Sequence, residues 1–259
     1  MNLNLSTKNA LVCGSTQGIG LATAIELATL GANVTLLARN EEKLKSALAS
    51  LPKTDGQLHG YLVADFAHPE QLKEVVDGFQ TTIHILVNNT GGPAAGPAHT
   101  ASIDDFRIAF NQHLVCNQLL VQRFMEGMKS AKYGRIINVI STSVKVPLKG
   151  LGVSNTIRGA VASWSKTLAN ELASFGITVN NVLPGATQTE RLAQIIQNKS
   201  TKQHIELAEV EKEMLAEIPT GRFAQANEIA NAIAFLASPA AAYINGINLP
   251  VDGGRTGSL

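Results

Sequence analysis

Two constellations in this chain could do chemistry. The first is Gly14-Ser15-Thr16-Gln17-Gly18-Ile19-Gly20, set between an apolar run ending at Cys13 and an amphipathic run opening at Gly18. Glycine lets a backbone approach a diphosphate closely. A helix N-terminus aimed at that diphosphate adds N–H donors and a favourable field. The spacing is one residue wider than the common dinucleotide fingerprint, but a strand before it and a helix after it are the context such a cradle needs. The second constellation lies in "GVSNTIRGAVASWSKTL", residues 152–168, where Ser154 and Arg158 stand four apart. On a helix they share a face. Arg158 offers a permanent cation and several donors, but with a pKa above about 12 it does not readily pass a proton. Ser154 offers a hydroxyl far less acidic than a phenol of pKa about 10.

The elements that must position these residues are legible as changes of hydrophobic period. Short β-branched runs at 9–14, 33–38, 57–65, 83–89, 134–141 and 177–185, with a last one in "INLPVDGG", read as strands. Between them, 18–32, 40–51, a segment opening near Pro69, 102–131, the stretch beginning at 152, 190–217 and 226–238 read as helices. Alternation of this kind predicts a single-domain α/β fold over 1–259: a doubly wound, Rossmann-type parallel sheet of about seven strands with helices on both faces. Near-continuous apolar runs such as Ile83–Val87 suit strands buried on both sides. The charged segment 190–217 reads either as a mobile substrate flap or as a solvated pair of surface helices.

Composition narrows the function classes. The chain has 259 residues, 45% of them hydrophobic and 16% charged, with a net charge of +1. That balance suits a globular domain and carries no electrostatic footprint for nucleic acid or an anionic membrane. No apolar run approaches the roughly 18 residues of a membrane helix, so a cytoplasmic protein is expected. Cys13 and Cys116 lie in apolar segments without metal-ligand spacing and read as reduced core thiols. No metal site, P-loop or Gly-x-Ser-x-Gly elbow is present. Trp164 falls in an apolar helical stripe and reads as core or interface.

Taken in order, the motifs resemble the short-chain dehydrogenase/reductase family, its 3-oxoacyl-[acyl-carrier-protein] reductase branch most of all, along nearly the whole chain. The glycine spacing matches. "NNTG" at 88–91 is similar to the family's NNAG, "PGATQT" at 184–189 to its PG-x-x-x-T, and "IPTGRFAQANEIANAIAFLAS" and "VDGG" to its C-terminal pattern. The resemblance implies a nicotinamide cofactor held by Gly14 to Gly20. It also implies Asp65 and Phe66 at the adenine, Asn89 and Gly91 beside the cofactor, and Pro184, Gly185, Thr187 and Thr189 at the nicotinamide end. Cofactor choice is read after the second strand, where an acidic residue would repel a 2′-phosphate. Arg39 stands there instead and favours NADP, with NAD possible. Gln17 counts the other way, since many NADP-preferring relatives carry a cation in that loop. A homo-oligomer, tetramer or dimer, is also implied, through 102–131, 153–174 and the C-terminal segment.

The same resemblance implies a catalytic Asn, Ser, Tyr and Lys. Ser141 occupies the serine position. The Tyr position, thirteen residues on, holds Ser154, and the Lys position holds Arg158, which can keep the charge and donate to the cofactor's ribose hydroxyls; the Asn position holds His113. None of the tyrosines, Tyr61, Tyr133 and Tyr243, is followed four residues later by lysine. Losing a positioned general acid costs about 10²–10⁴ in rate, whereas proximity and hydrogen bonding act without it. His113 could serve as a substitute acid or be a helix histidine bonded to backbone. Lys145 could donate to an anionic substrate or be solvated, and Ser143 could line the pocket. Two readings follow: an NADP-dependent oxidoreductase acting on a small carbonyl or alcohol with a rebuilt proton path, or a weak or inactive regulatory protein that binds the dinucleotide. A lyase or isomerase on the same scaffold is a third.

Overall fold

The computed structural model describes residues 1–54 and 56–258. In chain order the elements are β1 (Asn9–Cys13), α1 (Gly18–Thr29), β2 (Asn33–Ala38), α2 (Glu41–Ser50), β3 (Gly60–Val63), α3 (Pro69–Asp77), β4 (Ile85–Asn88), α4 (Ile103–Phe110), α5 (Cys116–Ser130), β5 (Gly134–Val139), α6 (Gly152–Leu172), β6 (Ile177–Pro184), α7 (Glu190–Gln203), α8 (Leu207–Ala216), α9 (Ala226–Ala237) and β7 (Asn248–Val251). The strands form one sheet in the order β3-β2-β1-β4-β5-β6-β7, every pair parallel. This is the doubly wound fold expected from the alternation. Order reverses between β1 and β4, and the crevice beyond the strand C-termini opens there.

Both faces are buried because successive side chains alternate. Ala10 and Val12 join a core with Leu27, Leu44 and Ile233 of α1, α2 and α9. Leu11 and Cys13 join the opposite core with Leu72, Leu120 and Leu168 of α3, α5 and α6. Both cysteines are buried as free thiols. Trp164 is partly buried and donates its indole N–H to Gln118 Oε1 at 2.8 Å. The segment 190–217 forms α7 and α8, which are not simply solvated: Leu192, Ile196 and Val210 close a small core with Ile218 and Phe223.

A row of asparagines crosses the sheet. Asn88 pairs in register with Asn138, Asn138 with Asn181, and Asn181 with Asn248. Along the row the Nδ2 of Asn88, Asn138 and Asn181 each donates to the side-chain Oδ1 of the next asparagine, at 2.8, 2.9 and 2.7 Å. Asn138 also donates to Ser165 Oγ at 3.2 Å, tying the row to α6.

Two boundaries differ from expectation. β3 begins at Gly60, not 57, because the Gln57 amide instead donates to the Ala28 and Ala32 carbonyls at 2.8 Å, satisfying groups at and beyond the end of α1. The helix expected over 102–131 is broken by a π-helical turn, Asn111–Val115, between α4 and α5. Such turns recur at functional positions, and His113 lies in this one. α4 starts on a capping box from Ser102 to Asp105 and leaves Ile103, Ile108 and Phe110 exposed.

Candidate active site

A cleft of about 760 Å³ runs across the C-terminal ends of β1, β2, β4, β5 and β6. One end of it is the glycine loop. The Gly14 N–H donates to Leu37 O at 2.8 Å, and the buried Ser15 hydroxyl accepts from Leu37 N at 3.0 Å, so β2 pins the loop from below. Gly14 has φ +59°, and a Cβ there would stand 2.4 Å from the Asn89 carbonyl oxygen. A Cβ on Gly20 would stand 2.1 Å from Gly14 O. Asn89 closes the back of the loop, donating to Cys13 O and Gly14 O at 3.2 and 3.3 Å. No side chain caps α1, so its first N–H groups face the cleft beside Thr16, Gln17, Gly18 and Ile19. Uncapped N–H groups behind a glycine cradle fit a diphosphate.

Beyond this loop lie Arg39, Asp65 and Phe66. The Arg39 side chain is 75% exposed and sits 3.8 Å from the Asp65 carboxylate. Lys43, not anticipated from sequence, also lines this end, its ammonium 3.5 Å from Gln17 Oε1. Asn40 caps α2 by accepting from Lys43 N at 2.9 Å, which fixes Lys43 in the first turn. Two cations therefore border the site where an adenine ribose would carry a 2′-phosphate.

The other end of the cleft brings together Asn89, Gly91, Ser141, Ser154, Arg158, Pro184, Gly185, Thr187 and Thr189. Ser141 caps a short 3₁₀ turn, its hydroxyl accepting from Ser143 N at 3.1 Å. Arg158 is 7% exposed and donates to Val139 O at 3.0 Å and Thr90 O at 3.5 Å. Burial, with Arg191 nearby, lowers its pKa to about 10, so it stays a cation at neutral pH. Arg191, Thr90, Gly92, Gln112 and Ile195 also line this end, none of them anticipated.

Ser143, Lys145 and His113 do not line the cleft. Ser143 is buried and Lys145 half-buried in the turn beyond Ser141. His113 is 1% exposed behind Thr90, whose hydroxyl lies 2.6 Å from its Nδ1. Its Nε2 has no partner among the described residues. Burial first, and Arg158 second, push its pKa down to about 2. The imidazole is therefore neutral and does not supply the cationic acid considered from sequence.

The depressed pKa has a measurable consequence for stability. Between pH 6.5, where the unfolded imidazole titrates, and about 2, the unfolded chain binds the extra proton. Folding stability from this group is full above the upper limit and falls as pH drops, by up to about 1.4 kcal/mol per pH unit. His59 and His84 are also depressed by burial and add in the same direction. The H113N variant is expected to lose less stability between pH 7 and 5 than the parent, by about 2 kcal/mol in urea titrations. Equal losses would show that His113 titrates normally.

Among the described residues, no group of His, Cys, Asp or Glu could hold a metal, and no helix is long and apolar enough to cross a membrane.

Comparison with known proteins agrees with this geometry. A family model described as enoyl-(acyl carrier protein) reductase matches residues 14–256. The chain is 33% identical to 3-oxoacyl-[acyl-carrier-protein] reductase FabG of Pseudomonas aeruginosa over 258 residues, covering 97% of this chain and 98% of that one. It is 29% identical to the NADPH-dependent reductase BacG of Bacillus subtilis over 259 residues, covering 98% and 100%. The solved structure of L-sorbose reductase from Gluconobacter frateurii, complexed with NADPH and L-sorbose, superposes with a TM-score of 0.92 at 30% identity over the full length of both chains. Nucleotide cradle, parallel sheet and family match all lead to one conclusion: this chain belongs to the short-chain dehydrogenase/reductase family.

Proposed function

We propose that this protein is an NADP-dependent oxidoreductase that reduces a small carbonyl compound, or oxidises the matching alcohol, through a rebuilt catalytic set. The observation that carries the reading is the continuous cleft from the cation pair Arg39 and Lys43, past the Gly14–Gly20 cradle, to Ser141, Ser154 and Arg158. NADP in this cleft is supported by relatives named for NADPH and by the two cations at its adenine end. When bound, the cofactor supplies hydride.

This chain's residues supply the rest. The hydroxyls of Ser141 and Ser154 orient the carbonyl oxygen. Arg158 holds a fixed positive charge beside it and stabilises the negative charge that develops as hydride arrives. Water or a cleft hydroxyl delivers the proton, since neither Arg158 nor the neutral His113 is an efficient donor at neutral pH. His113 positions Thr90 and, through it, the turn at Gly91. Helix α7 walls the substrate end, with Leu192 and Ile195 lining it.

The test is loss of NADPH absorbance with a panel of aldehydes and ketones. NADPH that binds but is never consumed would leave the regulatory reading standing instead. For the cofactor, R39D is expected to lower kcat/KM for NADPH by about 10- to 100-fold, with NADH less affected. An unchanged NADPH-to-NADH ratio would remove Arg39 from the 2′-phosphate site.

A further inference from the structure

We propose that the substrate is a short oxo acid whose carboxylate is gripped by Arg158 and Arg191 above Gly92. The proposal deepens the function just given and rests on it. Arg158 comes from α6 and Arg191 from α7, yet both converge on Gly92. A Cβ there would lie 3.6 Å from one Nη2 of Arg191 and 3.9 Å from one of Arg158. Neither arginine has a carboxylate within ion-pair distance among the described residues. Among the described residues their bonds run to backbone carbonyls: Val139 and Thr90 for Arg158, and Pro93, at 2.8 Å, for Arg191. Two guanidiniums beside the same glycine, one of them buried, repel and are poorly solvated. An anion between them relieves both costs. A carboxylate matches their planar forks in charge and geometry.

The diphosphate already has a seat at the glycine loop, so the second anion belongs to the substrate. Space for the substrate's remainder adjoins it. A pocket of about 440 Å³ shares Gly92 and Gln112 with the cleft and is lined largely by small and apolar residues, including Ala94, Ala109 and Val153. Its acidic residue, Asp105, is turned into the α4 capping box with Ser102 and does not repel the anion. Arg158 lies beside both the carbonyl-orienting serines and the proposed carboxylate. The carbonyl carbon is therefore bonded to the carboxylate or separated from it by one carbon, as in 2-oxo and 3-oxo acids. Hydride adds to the carbonyl carbon, a proton from water adds to its oxygen, and a hydroxy acid and NADP⁺ result.

The experiment uses the NADPH-bound protein with 2-oxopentanoate and 3-oxopentanoate, each beside its methyl ester. Calorimetry reads affinity whether or not turnover occurs. At least one acid is expected to bind and react about 10- to 100-fold better than its ester. In R191M that acid-to-ester ratio falls to within a few-fold of one, while NADPH affinity is retained. Equal affinity of acids and esters in the parent overturns the proposal but leaves the reductase reading intact. A loss of NADPH affinity in R191M with the acid-to-ester ratio kept also overturns it, assigning the arginine to the cofactor. Acid-selective binding abolished by R191M, without any turnover, supports the anion site and defeats the reductase reading alone.

Discussion

Replacing Arg158 with methionine is expected to lower kcat/KM for carbonyl reduction by about 10²–10³, yet leave the melting temperature unchanged or higher. The two halves have one cause. Arg158 is a buried cation without a described counter-ion, held by carbonyls of Val139 and Thr90. In the folded ground state that charge is a cost, as its lowered pKa shows. It becomes favourable when negative charge appears on the substrate oxygen. Methionine fills similar volume without charge, and exchanging buried charge for packed apolar atoms is often neutral or stabilising by about 1–4 kcal/mol. Against this stands the lost donor to Val139 O, worth about 1 kcal/mol. Steady-state kinetics beside thermal melts read both quantities. A variant that melts many degrees lower at undiminished turnover would show Arg158 to be a structural residue.

Gly14→Ala should do the opposite, damaging the scaffold and the cofactor site together. Gly14 sits at φ +59°, in the left-handed region, and an added Cβ meets Asn89 O at 2.4 Å. The atom it meets is backbone, so no flexible side chain can swing away. Stability is expected to fall by on the order of 3 kcal/mol. NADPH affinity is expected to weaken about 100-fold, because the loop must lift from Asn89 and the α1 N–H groups turn off target. Fluorescence titration with NADPH and chemical denaturation measure the two losses. Intact affinity would show that the loop is not the diphosphate seat.

How much of this was legible in the sequence follows from which interactions are local. The doubly wound parallel sheet and its two-faced core were, because short, largely apolar runs such as Ile85–Val87 alternate with longer segments of period 3.6. The π turn was not: one extra residue in a hydrogen-bond ladder leaves the apolar spacing of 102–131 almost unchanged. Its effect on His113 was therefore hidden too. A histidine's position along the chain carries no information on whether burial has driven off its proton. Lys43 was hidden because it stands past the strand end in sequence, and only the first turn of α2 returns it to the rim beside Gln17. Arg191 was missed for a topological reason. Nothing near it in sequence points to Arg158; they meet only because β6 carries the chain to α7 above the cleft.

The asparagine row from Asn88 to Asn248 acts as an alignment key for the rim of the cleft. Parallel strands buried on both faces are nearly uniform apolar ribbons, and such ribbons could slide past one another by two residues with little change in what they bury. A slide of two residues moves a strand end by about 6.6 Å. Here it would set an amide against an aliphatic neighbour and strand buried polar groups, at about 1–3 kcal/mol for each. Asn138 stands three residues before Ser141, and Asn181 three before Pro184. Locking the amides thus holds Ser141 and the loop at Pro184 level with each other across the cleft. Exchanging any one amide for leucine would loosen that alignment at a distance from the chemistry it serves.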